Sequence, residues 1–98
     1  MSNMSIYRVT QTSLACPTQY IINCDVLDEP FTIYTRYRNG EFSAVCTNGE
    51  DDENTFPYIL YNLGCAKKMT VGNTNDGYMS FNDTILVLKK LGYRINEF

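Results

Sequence analysis

Asn39-Gly40, set between two runs rich in aromatic and β-branched residues, constrains this chain more than any other feature. The pair is the strongest short-range signal for a two-residue hairpin turn, because both residues tolerate the positive φ that such a turn needs. Upstream, Phe31 to Arg38 alternates so that Phe31, Ile33, Thr35 and Tyr37 share one face of a strand and Thr32, Tyr34, Arg36 and Arg38 share the other. The second face is expected to meet solvent. Downstream, Glu41 to Thr47 returns antiparallel. Tyr34, Arg36, Tyr37, Arg38 and Glu41 thereby gather on one rigid hairpin. Guanidinium groups fork onto phosphates or carboxylates, and tyrosines add a stacking face and a hydroxyl, so this hairpin is the leading candidate for a binding site.

The neighbouring segments extend the sheet. Cys16-Pro17 marks a boundary, since the residue before proline is held in extended geometry. Thr18 to Cys24 then reads as a strand, and Leu27 to Pro30 is expected to break it. These runs give a three-stranded meander over residues 18–47. Residues 4–13 suit a short strand or a capped turn, and Lys67 to Val71 a further short strand. Thr55 to Leu63 places Phe56, Ile59, Leu60 and Leu63 at helical spacing with Pro57 in a first turn, a strand being the rival reading.

The clearest helix lies near the C-terminus. Ser80 to Asp83 reads as a capping box in which Asp replaces the usual Glu. Ile85, Leu88 and Leu91 then define one face, widened by Leu86 and Val87. Gly92 stands where a left-handed C-cap residue belongs, and Lys89 and Lys90 complement the negative end of the helix dipole, so the helix is expected over 81–91. The expected fold is α+β: one domain over residues 1–98, with a small antiparallel sheet of the meander plus one or two short strands, and the C-terminal helix packed on one face.

A chain of 98 residues with 44% hydrophobic content suffices for one core. A net charge of −3, interspersed along the chain, gives neither a nucleic-acid mimic nor the basic excess of a general nucleic-acid binder. No apolar run reaches the length of a membrane span, and the first residues lack the halves of a signal peptide, so the expected location is the cytoplasm. Cys16, Cys24, Cys46 and Cys65 are widely and irregularly spaced, and there is no histidine to complete a mixed zinc site. All four are read as buried thiols without disulfides. Composition leaves a homo-oligomer open.

Three further patterns bear on chemistry. Residues 73–83 imitate the back half of a calcium loop through Asp76, Gly77, Ser80 and Asp83. Gly72 and Thr74 fall where the leading oxygen ligands belong, so a turn followed by a helix cap is expected, with no metal and no cofactor. The missing histidine also removes the usual general base, and no glycine-rich phosphate loop is present, which argues against an enzyme. Finally, Asn48 to Asn54 is polar and acidic. Asp51, Asp52 and Glu53 there form a second candidate contact surface.

Pro17-Thr18-Gln19, the run from Tyr34 to Gly40 and the run from Asp76 to Phe81 resemble a scattered family of short bacterial and phage proteins. Its members combine a PTQ start, a YxRYRxG hairpin and a DGxxSxxEL helix start. The resemblance spans most of residues 16–91; Asn82-Asp83-Thr84 and the acidic residues 50–53 depart from it. It implies an accessory role in phage or mobile elements. The expectation is a small non-enzymatic protein that binds and inhibits a host protein, for instance one of a defence system. The alternatives are a sponge for a nucleotide signal, with Arg36 and Arg38 on its phosphates, and a structural or virion accessory protein.

Overall fold

The computed structural model describes residues 4–13, 18–50, 67–73 and 77–96. Among them, six strands form one sheet that curls into a half-barrel: β1 (Met4–Ser13), β2 (Thr18–Val26), β3 (Glu29–Arg38), β4 (Glu41–Asn48), β5 (Lys67–Thr70) and β6 (Ile95–Asn96). Their spatial order is β5-β4-β3-β2-β1-β6. The expected meander is therefore the middle of a larger sheet. Residues 4–13 form a full ten-residue strand, not a short one, paired antiparallel with β2 and carrying bulges after Ile6 and after Gln11. One pair departs from the antiparallel expectation, because β6 runs parallel to β1, with Met4 opposite Ile95.

Turn chemistry explains both tight connections, one visibly and one not. Asn39 and Gly40 have φ of 54° and 77°, as the sequence requires. The expected break at Leu27 to Pro30 is present but narrower, a second tight turn of two residues. Leu27 and Asp28 take φ of 54° and 64°, and the strand resumes at Glu29. Leucine does not announce a left-handed conformation, since its Cβ meets the following carbonyl there.

Among the described residues one helix, α1 (Phe81–Lys90), packs across the face formed by Tyr20, Ile22, Cys24, Ile33, Tyr37, Phe42 and Ala44. Ser80 is its N-cap, with Oγ accepting from the Asp83 amide at 3.2 Å. At the far end, the amide of Gly92 bonds the carbonyl of Lys89 and that of Tyr93 bonds Leu88, the paired pattern that a glycine at positive φ permits. Thr84, Ile85, Val87 and Leu88 are buried, whereas Leu86 is 54% exposed and does not widen the apolar face. The segment before the helix is clipped to β2: Thr18 donates through both its amide and its hydroxyl to the Gly77 carbonyl, and its hydroxyl accepts from the Met79 amide at 3.1 Å. The helix-or-strand expectation for 55–63 lies outside the described residues.

The middle of the sheet's second face is buried, where solvent contact was expected. Register places Ile21, Tyr34 and Val45 side by side on β2, β3 and β4, and all three are buried. In the adjoining row a polar chain crosses the sheet. Arg8 Nε donates to Asn23 Oδ1 at 2.8 Å, Asn23 Nδ2 to Thr32 Oγ1 at 3.1 Å, and Thr32 Oγ1 to the Gly49 carbonyl at 2.7 Å. Asn23 and Thr32 are fully withdrawn from water, which such a satisfied chain makes tolerable. Alternation assigns a residue to a face; it does not say whether that face is wet.

Candidate functional site

The side chains of the second face become polar and accessible toward the Asn39-Gly40 turn. Cross-strand register puts Arg36 opposite Ser43 and Arg38 opposite Glu41. An open cleft of 380 Å³ lies here, lined by Arg36, Arg38, Asn39, Glu41 and Ser43. Glu41 also meets Lys68 from β5, Nζ to Oε1 at 3.6 Å, with both side chains about half exposed. Among the described residues, neither guanidinium takes part in a hydrogen bond or an ion pair. Three cations thus surround one carboxylate, and two of them present unused forked donors.

The platform under this corner is fixed by backbone contacts. The Gly40 carbonyl accepts from the amides of Val71 and Gly72, at 2.9 and 3.2 Å. A Cβ at Gly40 would stand 2.3 Å from the Asn73 carbonyl oxygen, so the hairpin tip is seated directly on the strand exit after β5. Close approach and positive φ both require glycine at this position.

The structure divides the residues expected at the site. Arg36, Arg38 and Glu41 line the cleft together. Tyr34 is 0% exposed, held between Ile21 and Val45, and so offers no stacking surface. Tyr37 points to the opposite face, 4% exposed within the helix-covered core. Asp51, Asp52 and Glu53 lie outside the described residues. The turn residue Asn39 lines the cleft as well, and Ser43 and Lys68 join the corner although the alternation of β3 does not point to them. Ser43 was within reach of the sequence, because a two-residue turn at 39–40 pairs 38 with 41 and 36 with 43. Lys68 was not, since its register depends on a non-local pairing.

A second cluster of reactive groups sits under the helix end. Cys46 Sγ donates to the Tyr93 hydroxyl at 3.0 Å, and Lys67 Nζ lies 4.4 Å from the Tyr93 ring centre while donating to the Leu91 carbonyl at 3.0 Å. Burial pushes the Cys46 thiol up, and the Tyr93 hydrogen bond and Lys67 offset this only in part. Burial, and then the bond to Cys46, raises Tyr93 as well. Both groups hold their protons at neutral pH, the opposite of an activated nucleophile. Cys24 is buried, as expected, whereas Cys46 is half-buried; Cys16 and Cys65 lie outside the described residues. Among the described residues, no group of His, Cys, Asp and Glu is arranged to hold a metal, and no helix is long and apolar enough to cross a membrane.

Compared with protein-family models, curated proteins and solved structures, the chain matches none.

Proposed function

We propose that this chain is a small non-enzymatic binding protein that engages an acidic surface of a partner protein through the basic corner at its β3–β4 turn. The observation that carries this reading is the cleft lined by two unengaged arginines on a hairpin whose tip is anchored by backbone hydrogen bonds. Preorganisation matters here: guanidiniums presented on a seated turn lose little freedom on binding, so more of their interaction appears as affinity. The resemblance to phage and bacterial proteins supplies the setting, in which the partner is a host protein, such as one of a defence system, and its inhibition in the host cytoplasm is the outcome. The nucleotide-sponge alternative keeps its phosphate contacts at Arg36 and Arg38. It loses its stacking component, because Tyr34 and Tyr37 are both buried away from the cleft.

The test is the double variant Arg36→Ala with Arg38→Ala, immobilised beside the wild type and presented with host lysate. Arginines central to an interface contribute about 2 kcal/mol or more each, a factor of roughly thirty in affinity. Arg38 is exposed and Arg36 half-buried, and surface arginines of this kind contribute to folding within about 0.5 kcal/mol. A partner retained by the wild type and lost by an equally stable variant is the expected result. Equal capture by the folded variant would move the site elsewhere.

A further inference from the structure

We infer that the group recognised at this corner is a phosphoryl dianion, and that Lys68 is its third cation, held in reserve by Glu41. The inference rests on the corner being the binding site and goes beyond it by naming the ligand chemistry and a further residue. Register across β3, β4 and β5 sets Arg36, Ser43 and Lys68 in one row and Arg38, Glu41 and Thr70 in the next. Adjacent strands are about 4.8 Å apart, so the ends of the first row stand roughly 10 Å from each other with a short hydroxyl side chain between them. That row is a saddle: the Ser43 hydroxyl forms the floor, and a long cation rises on either flank.

Lys68 turns away from the saddle toward Glu41, at 3.6 Å and half exposed. An ion pair of that length and exposure is weak and exchanges readily for a better partner. A carboxylate ligand offers Lys68 the single charge it already has in Glu41, and the exchange gains nothing. A phosphoryl group carries up to two charges and three strong acceptor oxygens, enough to engage Arg36, Arg38 and Lys68 at once. Charge balance agrees, since three cations against the Glu41 carboxylate leave two positive charges for a dianion to neutralise. Glu41 then acts as a filter, repelling weaker anions and yielding Lys68 only to a ligand of higher charge.

The experiment is calorimetric titration of the full chain at pH 8 and fixed ionic strength with four probes: inorganic phosphate, pyrophosphate, a phosphoserine tetrapeptide and triglutamate. The phosphoryl probes are expected to bind one per chain, with triglutamate at least about tenfold weaker. Lys68→Gln should weaken the phosphoryl probes by about tenfold, the size of one charge-assisted hydrogen bond. Glu41→Gln should strengthen them by about threefold, by removing a like charge and freeing Lys68. A phosphopeptide that outbinds pyrophosphate assigns the group to a modified protein, and the reverse order assigns it to a small molecule; either supports the shared chemistry. Equal binding of triglutamate, no binding of any phosphoryl probe, or indifference to Lys68→Gln would overturn the inference. If Arg36→Ala/Arg38→Ala still loses its captured partner in that case, the corner remains the site and only its ligand chemistry is wrong.

Discussion

Gly40→Ala puts the seating of the hairpin tip to a quantitative test. The added Cβ meets backbone atoms alone, the Asn73 carbonyl oxygen at 2.3 Å and the Asn73 carbon and Gly72 oxygen at 2.7 Å, so no flexible side chain can swing aside. Ordinary contact begins near 3.4 Å, and the tip must lift by about 1 Å. Lifting stretches the two hydrogen bonds that the Gly40 carbonyl accepts from Val71 and Gly72. Two such bonds contribute about 1 kcal/mol each, and the left-handed φ of 77° costs an alanine a further 1–2 kcal/mol or so. The expected loss is about 3–4 kcal/mol by urea denaturation. Gly49→Ala is the internal control: it has φ of 104° but nothing within 4 Å of its Cβ, so it carries the backbone penalty without the collision. A difference between the two variants below about 0.5 kcal/mol would refute the argument, because the hairpin would then not rest on residues 72–73 in solution.

Other expectations follow from the same contacts. Leu88→Ala should cost about 2–5 kcal/mol by chemical denaturation, since Leu88 is fully buried against the sheet. Thr18→Val should cost about 2–3 kcal/mol and speed hydrogen exchange at the Met79 amide, because one hydroxyl serves both Gly77 and Met79. Leu27→Asn should stabilise the fold by roughly 0.5–1 kcal/mol in the same assay, as asparagine tolerates φ of 54° and a leucine 78% exposed gives up no packing. Burial, followed by the neighbouring Cys46 and Asp25, pushes the Cys24 thiol up to about 11. Its proton is held more tightly in the folded chain, so its contribution to stability is complete below about pH 9 and is lost as pH climbs toward 11. Alkylation of Cys24 at pH 8, followed by peptide mass spectrometry, should therefore require unfolding.

Local chemistry was legible and non-local covering was not. Asn39-Gly40 declared its turn and Ser80 its cap, because each acts on backbone groups within a few residues. Arg36, Arg38 and Glu41 could be placed on one face for the same reason. Tyr34 has the same alternation as Arg36, yet its neighbours across the strands are Ile21 and Val45 where those of Arg36 are Gln19 and Ser43. Burial is decided by those neighbours, and for Tyr34 they lie eleven and thirteen positions away in sequence. Leu27 was opaque for a different reason, since its conformation contradicts its own preference and is imposed by the register of β2 on β3.

The parallel pairing of β6 with β1 has a consequence for the order in which this chain assembles. Strands β1 to β4 are sequence neighbours and can pair progressively as synthesis proceeds, but Met4 finds its backbone partner at Arg94 only when the C-terminal segment has emerged. Until then the start of β1 is an open sheet edge, the kind of surface that recruits strands from other chains. Ile95 and Asn96 thus work as a seal over the start of β1. Chains ended ahead of Tyr93 should keep the β2–β4 pairings yet self-associate through β1, a failure of closure that a ribosome-stalled or truncated product would show before any loss of sheet content.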